Sequence, residues 1–295
     1  MGIRRRTRFR WRLETLAGTG LAVLLVFSGC SFTQTGTLPE VQGRILQESR
    51  EDWGRIVVDE NQCVLVNNVW NKSAAGGALN QGVFIEEVGG NKTVGWRWRS
   101  PWHLVPRVVS QPELVCGDKP WDEPLRLRPE FPFRAGSKRL SADFKVKLRA
   151  SGAYNMAFSM WAVSSLPASR SGITHEIMIW IAHDGQTPAG TRRDALDVGG
   201  KTYDVYVKDK HADASGSVTN VWTYAAFVAR EPVLGGPLAL GAFIDYMLQH
   251  GILAQDSYLT SLELGSEVSQ GMGTVEVQGF ALTSPGQNPD TGVSR

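Results

Sequence analysis

The sequence predicts an all-β fold of the sandwich or barrel kind with one packed helix. Nine segments show period-two patterning or are rich in β-branched and aromatic residues, and Gly, Pro, Asn or Asp separates them. Only one stretch spaces its apolar residues as a helix does. Many strands with a single helix exclude a βαβ arrangement.

The elements follow in chain order. Residues 1–29 read as an export leader: six arginines from Arg4 to Arg12, an apolar run from Leu16 to Phe27, then Ser28 and Gly29 before Cys30. The run is short for a membrane-spanning helix. Small residues directly before a cysteine resemble a bacterial lipobox, whose cysteine is acylated and becomes the mature N-terminus, although Phe27 stands where leucine is usual. An ordinary signal peptide cut near the same place is the other reading. Residues 30–51, rich in Thr, Gln, Gly, Pro and Glu, read as a tether to a folded body at 52–283, and 284–295 read as a frayed tail.

Within the body, strands are expected in CVLVNNVW, TVGWRWR, LSADFKVKLRA, YNMAFSMWAV, HEIMIWIA, KTYDVYVK, VWTYAAFVA, YLTSLEL and TVEVQGFAL. The helix is expected to start at Pro237, carry Leu240, Phe243, Ile244, Met247 and Leu248 on one face, and stop at Gly251.

Composition narrows the function. The formal charge of +2 includes six arginines and one glutamate of the leader, so the chain without residues 1–29 carries −3. Its basic residues are scattered among acids, which excludes a nucleic-acid surface. With Cys30 assigned to lipid, Cys63 and Cys116 remain. In an oxidising compartment such a pair tends to form a disulfide; two buried thiols are the alternative. The five histidines are dispersed and no Cys/His cluster has zinc spacing, so neither a metal nor an organic cofactor is expected.

Two carboxylates carry the chemistry. In THEIMIWIAHDG, Ile177, Ile179 and Ile181 share one strand face, suited to a core, while Glu176, Met178 and Trp180 share the other. Burying Glu176 unpaired would cost several kcal/mol or so, so it is either paired or functional. In SLELGSEVSQGMG, Leu262 and Leu264 fall on one face and Glu263, Gly265 and Glu267 on the other, with Gly271 and Gly273 expected in a turn. A retaining glycosidase needs two carboxyl groups roughly 5–5.5 Å apart, one as nucleophile and one as acid/base. Glu176 and Glu267 can meet only if their strands come together in the sheet. Trp70 follows Asn67 and Asn68, a grouping able to stack a pyranose and bond its hydroxyls.

These pieces resemble glycoside hydrolase family 12, the small retaining endoglucanases. NNVW, GWRWR, QPELVCGDKPW, YNMAFSMW, HEIMIWIAHDGQTPAG, VWTYAAFVA and GSEVSQGMG occur in the family's order between Trp53 and Leu282. The resemblance implies a concanavalin-like jelly roll of two packed antiparallel sheets with an open cleft. It also implies that Glu176 is the nucleophile, Glu267 the acid/base, and Asn68, Trp70, Met178 and Trp180 sugar contacts. Trp53 matches an aromatic at the distal end of the cleft, and Pro188 a loop that overhangs it. Ser159 stands where the family usually has an aspartate bonded to the nucleophile, and its hydroxyl can still donate one bond there. Glu263 and Glu276 are rival carboxylates, read as solvated or paired.

The expected protein is a monomeric retaining endo-β-1,4-glucanase, lipid-anchored in a bacterial cell envelope, acting on cellulose-like or mixed-linkage β-glucan. Xyloglucan is the rival substrate. A glucan-binding envelope lipoprotein without turnover and a purely structural envelope protein are the rival classes.

Overall fold

The structure, a computed structural model, describes residues 36–283 apart from Asn61, Val105 and 213–218. The leader, Cys30 and the 284–295 tail lie outside the described residues. The strands are β1 (Arg44–Ser49), β2 (Arg55–Val58), β3 (Cys63–Val66), β4 (Asn80–Val88), β5 (Asn91–Ser100), β6 (Glu113–Gly117), β7 (Phe133–Arg134) and β8 (Ser141–Val163). They continue with β9 (Ile173–Asp184), β10 (Thr191–Val198), β11 (Lys201–Ala212), β12 (Val221–Ala229), β13 (Gly235–Leu238), β14 (Tyr258–Leu259), β15 (Ser261–Gly265) and β16 (Val268–Thr283). Among the described residues one α-helix, α1 (Leu240–Gln249), interrupts them.

The strands form a jelly roll whose layers are continuous through β8. LSADFKVKLRA and YNMAFSMWAV, read as two strands, are one strand of 23 residues. Its first half pairs with β16, and its second half pairs with β9 on one side and β15 on the other. The handover occurs at Gly152, where φ is +117° and a Cβ would lie 2.3 Å from the Gln270 carbonyl oxygen. Gly271 faces it across the ladder at φ +93°. Gly271 and Gly273 are inside β16, not in the expected turn: the Ser151 carbonyl comes too close to Gly271 for a side chain, and the Trp98 ring fills the space at Gly273.

The pairing departs from pure antiparallel at one place: β9 and β12 run parallel, with Glu176 beside Tyr224 and Trp180 beside Val228. Alternation along β9 holds as the sequence suggests. Ile177, Ile179 and Ile181 are fully buried in the main core with Phe158, Phe227 and Phe243, each isoleucine contributing about 1.5–3 kcal/mol. Met178 and Trp180 pack on the opposite face with Tyr224 and Ala226.

Two boundaries differ from expectation. Pro237 belongs to β13, paired with Asp143, and the helix begins only at Leu240. It ends as foreseen: Gly251 adopts φ +64°, its N–H bonds the Leu248 carbonyl, and the Ile252 N–H bonds that of Met247, which closes the last turn in a Schellman motif. Part of the segment expected as a tether is built into the sheet. Arg44–Ser49 form a strand against β4, and Arg97 and Arg99 donate to the carbonyls of Pro39 and Thr37 at 2.9 Å each. Polar composition hid this segment, because an edge strand needs few apolar side chains.

Cys63 and Cys116 are joined by a disulfide between neighbouring strands β3 and β6, with Cα atoms 4.5 Å apart. The bridge spans 53 residues of sequence, and a loop of that size restricts the unfolded chain by about 2–4 kcal/mol. Replacing both cysteines by alanine should lower the urea midpoint by a corresponding amount. An unchanged midpoint under non-reducing conditions would contradict that account.

Candidate active site

The second half of β8 sits between β9 and β15, and side chains on their outward face form the floor of a cleft of about 840 Å³. Six tryptophans line it: Trp53, Trp70, Trp121, Trp161, Trp180 and Trp222. Three of them interlock edge to face, Trp161 with Trp121 at 4.9 Å and with Trp222 at 5.5 Å between ring centroids. Trp53 stands at φ +63°, exposed within the lining.

Glu176 and Glu267 both open into this cleft. Glu176 lies opposite Trp161 on β8 and beside Tyr224 on β12, and its Oε2 accepts from Trp222 Nε1 at 2.9 Å. Glu267 follows β15. The Asn155 side chain grips it twice: Nδ2 donates to Glu267 Oε2 at 2.5 Å, and Oδ1 accepts the Glu267 N–H at 3.1 Å. Gln186 ties the loop after β9 to the same turn, donating to Ser269 Oγ at 2.7 Å and to the Glu267 carbonyl at 3.3 Å.

Burial sets the electrostatics. It pushes Glu176 up to about 8, helped by the charge of Glu267 and opposed by the Trp222 N–H and by Lys119. It pushes Glu267 up to about 7 against the Asn155 amide. The charge of Glu267 disfavours ionisation of Glu176, so Glu267 gives up its proton first and the pair holds one proton between about pH 7 and 8. Tyr224, buried beside both, has its hydroxyl raised well above the usual phenol range by burial and then by the two carboxylates.

The other expected site residues divide. Asn68, Trp70, Trp180 and Trp53 line the cleft. Met178 does not: it is fully buried beneath Trp180, whose indole N–H points at its sulfur, 3.5 Å away. Pro188 is in the loop over the cleft, but its neighbours Gln186, Thr187 and Ala189 supply the lining. Ser159 is buried, and its hydroxyl donates to Glu263 Oε2 at 3.0 Å in place of the expected bond to Glu176. Register explains this: Glu263 lies directly opposite Ser159, whereas Glu176 is opposite Trp161. Glu263 and Glu276 are paired, Glu263 with Lys119 at 3.2 Å and Glu276 with Arg149 at 2.5 Å, and neither is solvated.

Sequence reading missed Asn155, Gln186, Trp222 and Lys119. Asn155 follows Tyr154 on a strand already recognised, and its alternation with Ala157 and Ser159 was the available signal. Nothing local marks Lys119. Three polar atoms of lining residues, Asn68 Oδ1, Trp161 Nε1 and Gln186 Oε1, are buried without a hydrogen-bond partner among the described residues. Such groups are costly unless a ligand satisfies them, and sugar hydroxyls, which both donate and accept, have the matching chemistry.

Because the carboxyls of Glu176 and Glu267 bind protons more tightly folded than at their ordinary value of 4.5, their contribution to stability is present below that value and is lost as pH rises through about 7 and 8. Glu176→Gln and Glu267→Gln should each melt above the parent protein at about pH 9, with the gain vanishing near about pH 4. Melting curves across that range test this; a gain independent of pH would contradict it.

Comparison with known proteins gives a consistent outcome. The family model for glycosyl hydrolase family 12 matches residues 61–284. The chain is 26% identical over 232 residues to endoglucanase S of Pectobacterium parmentieri, covering 78% of this chain and 84% of that one. It is 22% identical over 226 residues to a xyloglucan-specific endo-β-1,4-glucanase of Phytophthora nicotianae, covering 73% and 81%. Among solved structures, a family 12 xyloglucanase from Bacillus licheniformis superposes with a TM-score of 0.71 at 24% identity, covering 81% of this chain and all of that one. An endoglucanase of Rhodothermus marinus gives 0.64 at 22%, covering 81% and 98%. The family match runs from just before β3 to the end of β16 and takes in both cleft carboxylates, and the chain belongs to glycosyl hydrolase family 12.

Proposed function

We propose that the protein is a retaining endo-β-1,4-glucanase in which Glu176 is the nucleophile and Glu267 the acid/base. The observation that carries this reading is the pair of carboxyls in one aromatic cleft, each held by its own donor and together holding one proton near neutrality. Attack needs the proton on Glu267 and the charge on Glu176, the reverse of the order in the free protein, so the proton must pass to Glu267 as substrate binds, and the Trp222 N–H then supports the Glu176 carboxylate. Glu176 attacks the anomeric carbon as Glu267 protonates the departing glycosidic oxygen. Glu267, now ionised, takes a proton from water, which displaces Glu176 and releases the sugar with its configuration retained. The tryptophan walls offer stacking faces along an unbranched glucan.

Xyloglucan is the second reading for the substrate. It draws on the xyloglucanases among the similar proteins and on a cleft open enough to pass side branches. A binding protein without turnover is disfavoured, since binding alone gives no reason to bury two carboxyls together.

For location we infer a lipid on Cys30, supported by the arginine-rich start, the apolar run and Ser28-Gly29-Cys30. Two lipid-anchoring signals are usual for stable attachment, and a diacylated N-terminus would supply both. The protein then resides in a bacterial envelope.

Glu176→Ala should abolish turnover of every glucan tested. Glu267→Ala should keep the first step on aryl cellobiosides with good leaving groups, and azide should restore turnover as a β-glycosyl azide. Azide rescue of Glu176→Ala to the β-azide would reverse the roles. Cys30→Ser should move the protein from the detergent phase to the aqueous phase or leave it unprocessed, and unchanged partitioning would remove the lipid assignment.

A further inference from the structure

Beside the cleft lies a group of ionisable side chains that the double displacement does not use. Glu113 on β6, Glu263 on β15 and Lys119, just after β6, are all buried. Lys119 Nζ is 2.7 Å from Glu113 Oε1 and 3.2 Å from Glu263 Oε2, and Ser159 and Ser261 each donate to Glu263 at 3.0 Å. Burying two carboxyls and an ammonium is costly, and well-packed apolar side chains would serve the fold as well or better. The group has a second set of contacts, with two amides of the cleft lining. Asn68 Nδ2 donates to Glu113 Oε1 at 2.8 Å, and Gln111 Nε2 donates at 3.3 Å to the Ser159 hydroxyl, whose own proton goes to Glu263.

These contacts fix which end of each amide faces inward. Glu113 Oε1 receives both Lys119 and Asn68, whereas Oε2 meets no partner among the described residues, so a proton on this carboxyl would sit on Oε2 and leave Oε1 an acceptor. An Asn68 amide turned the other way would set oxygen against oxygen. The Ser159 proton is likewise committed to Glu263, so the hydroxyl accepts from Gln111. The backbone steadies the arrangement, since the Asn68 carbonyl accepts the Gln111 N–H at 2.8 Å and Gln81 Nε2 at 3.4 Å. Asn68 therefore turns its nitrogen inward, and Oδ1, buried without a partner, is the amide atom left for a ligand.

We propose that Glu113, anchored by Lys119, is a positioning residue that pins the Asn68 amide with Oδ1 towards the sugar, so that this subsite selects a hydroxyl able to donate. The inference rests on the cleft being the glucan site. A free hydroxyl gives Oδ1 its missing partner. An ether oxygen or a fluorine in the same place cannot donate and leaves the carbonyl buried and unpaired. Lys119 and Glu263 remain as a balanced pair when Glu113 is made apolar, so the anchor can be removed without stranding a charge.

The probes are cellotetraose and a set of cellotetraoses in which one hydroxyl at a time is replaced by fluorine. Binding is measured by titration calorimetry in a Glu176→Ala background, which does not turn the sugar over. Fluorine at one hydroxyl should weaken binding about tenfold, and Asn68→Ala should erase that penalty, which identifies the hydroxyl. Glu113→Leu should erase it as Asn68→Ala does, whereas Glu113→Gln, which keeps an acceptor oxygen for Asn68, should preserve it. A loss of fold or packing alone would weaken all the probes alike. No penalty that depends on Asn68, a penalty that survives Glu113→Leu, or one lost equally in Glu113→Gln would overturn the inference while leaving the glucan cleft in place. Absence of any cellotetraose binding would overturn the cleft assignment itself. If Glu113→Leu does not fold, Glu113→Asp, whose shorter arm withdraws the acceptor from Asn68, takes its place: an erased penalty supports the inference and a retained one overturns it.

Discussion

Water leaves the cleft floor when β8, β9, β12 and β15 come together, and the carboxyl groups there lose much of their hydration. The desolvation is large enough to raise Glu176 to about 8, Glu267 to about 7 and Glu113 to about 8. Each group is then met by hydrogen-bond donors, which favour its ionised form against the burial. Glu176 receives an indole N–H, Glu267 an amide fixed by its own backbone, and Glu113 an ammonium and an amide. Each donor recovers part of the lost hydration in a fixed direction, which mobile water could not do.

That arrangement depends on one long strand. β8 contributes Asn155, Ser159 and Trp161, which reach Glu267, Glu263 and the tryptophan chain respectively. The same strand pairs with β16 before it crosses into the cleft layer, so the alignment of the site is continuous with the ladder behind it. A slip of one residue along β8 would turn these three side chains into the core and bring Met156, Phe158 and Met160 to the cleft. The glycines at the crossing, Gly152 and Gly271, are what allow the strand to change partners without breaking.

Much of this was legible in the sequence. Alternation in HEIMIWIA correctly divided the isoleucines from Glu176 and Trp180, because a strand with one core face must alternate. Glu267 was placed from the face it shares with Glu263 and Gly265. What escaped were features fixed by pairing between distant strands. The contact of Ser159 with Glu263 comes from register across β8 and β15, and no local pattern reports register. Lys119 reads as a surface lysine in GDKPW, and only the fold puts it between two buried carboxyls. β10 escaped because its side chains are almost all exposed and carry no apolar alternation. The β1 segment escaped for a related reason: its strand is defined by a neighbour, not by its own composition.

That segment has a further consequence. β4 would be the outermost strand of its layer if residues 44–49 were absent, and it is a long one, Asn80–Val88, with Val83 and Phe84 fully buried. Its free N–H and C=O groups would then form an open template for another chain, the usual beginning of edge-to-edge aggregation. β1 closes that edge with a short strand carrying Arg44, Gln47 and Glu48, which offers a second molecule little to add to. A truncation placed at residue 52, where composition suggests that the folded body begins, would remove this guard. The polar stretch at residues 44–49 thus acts as the sheet's selvedge, leaving β4 no bare edge for another chain to join.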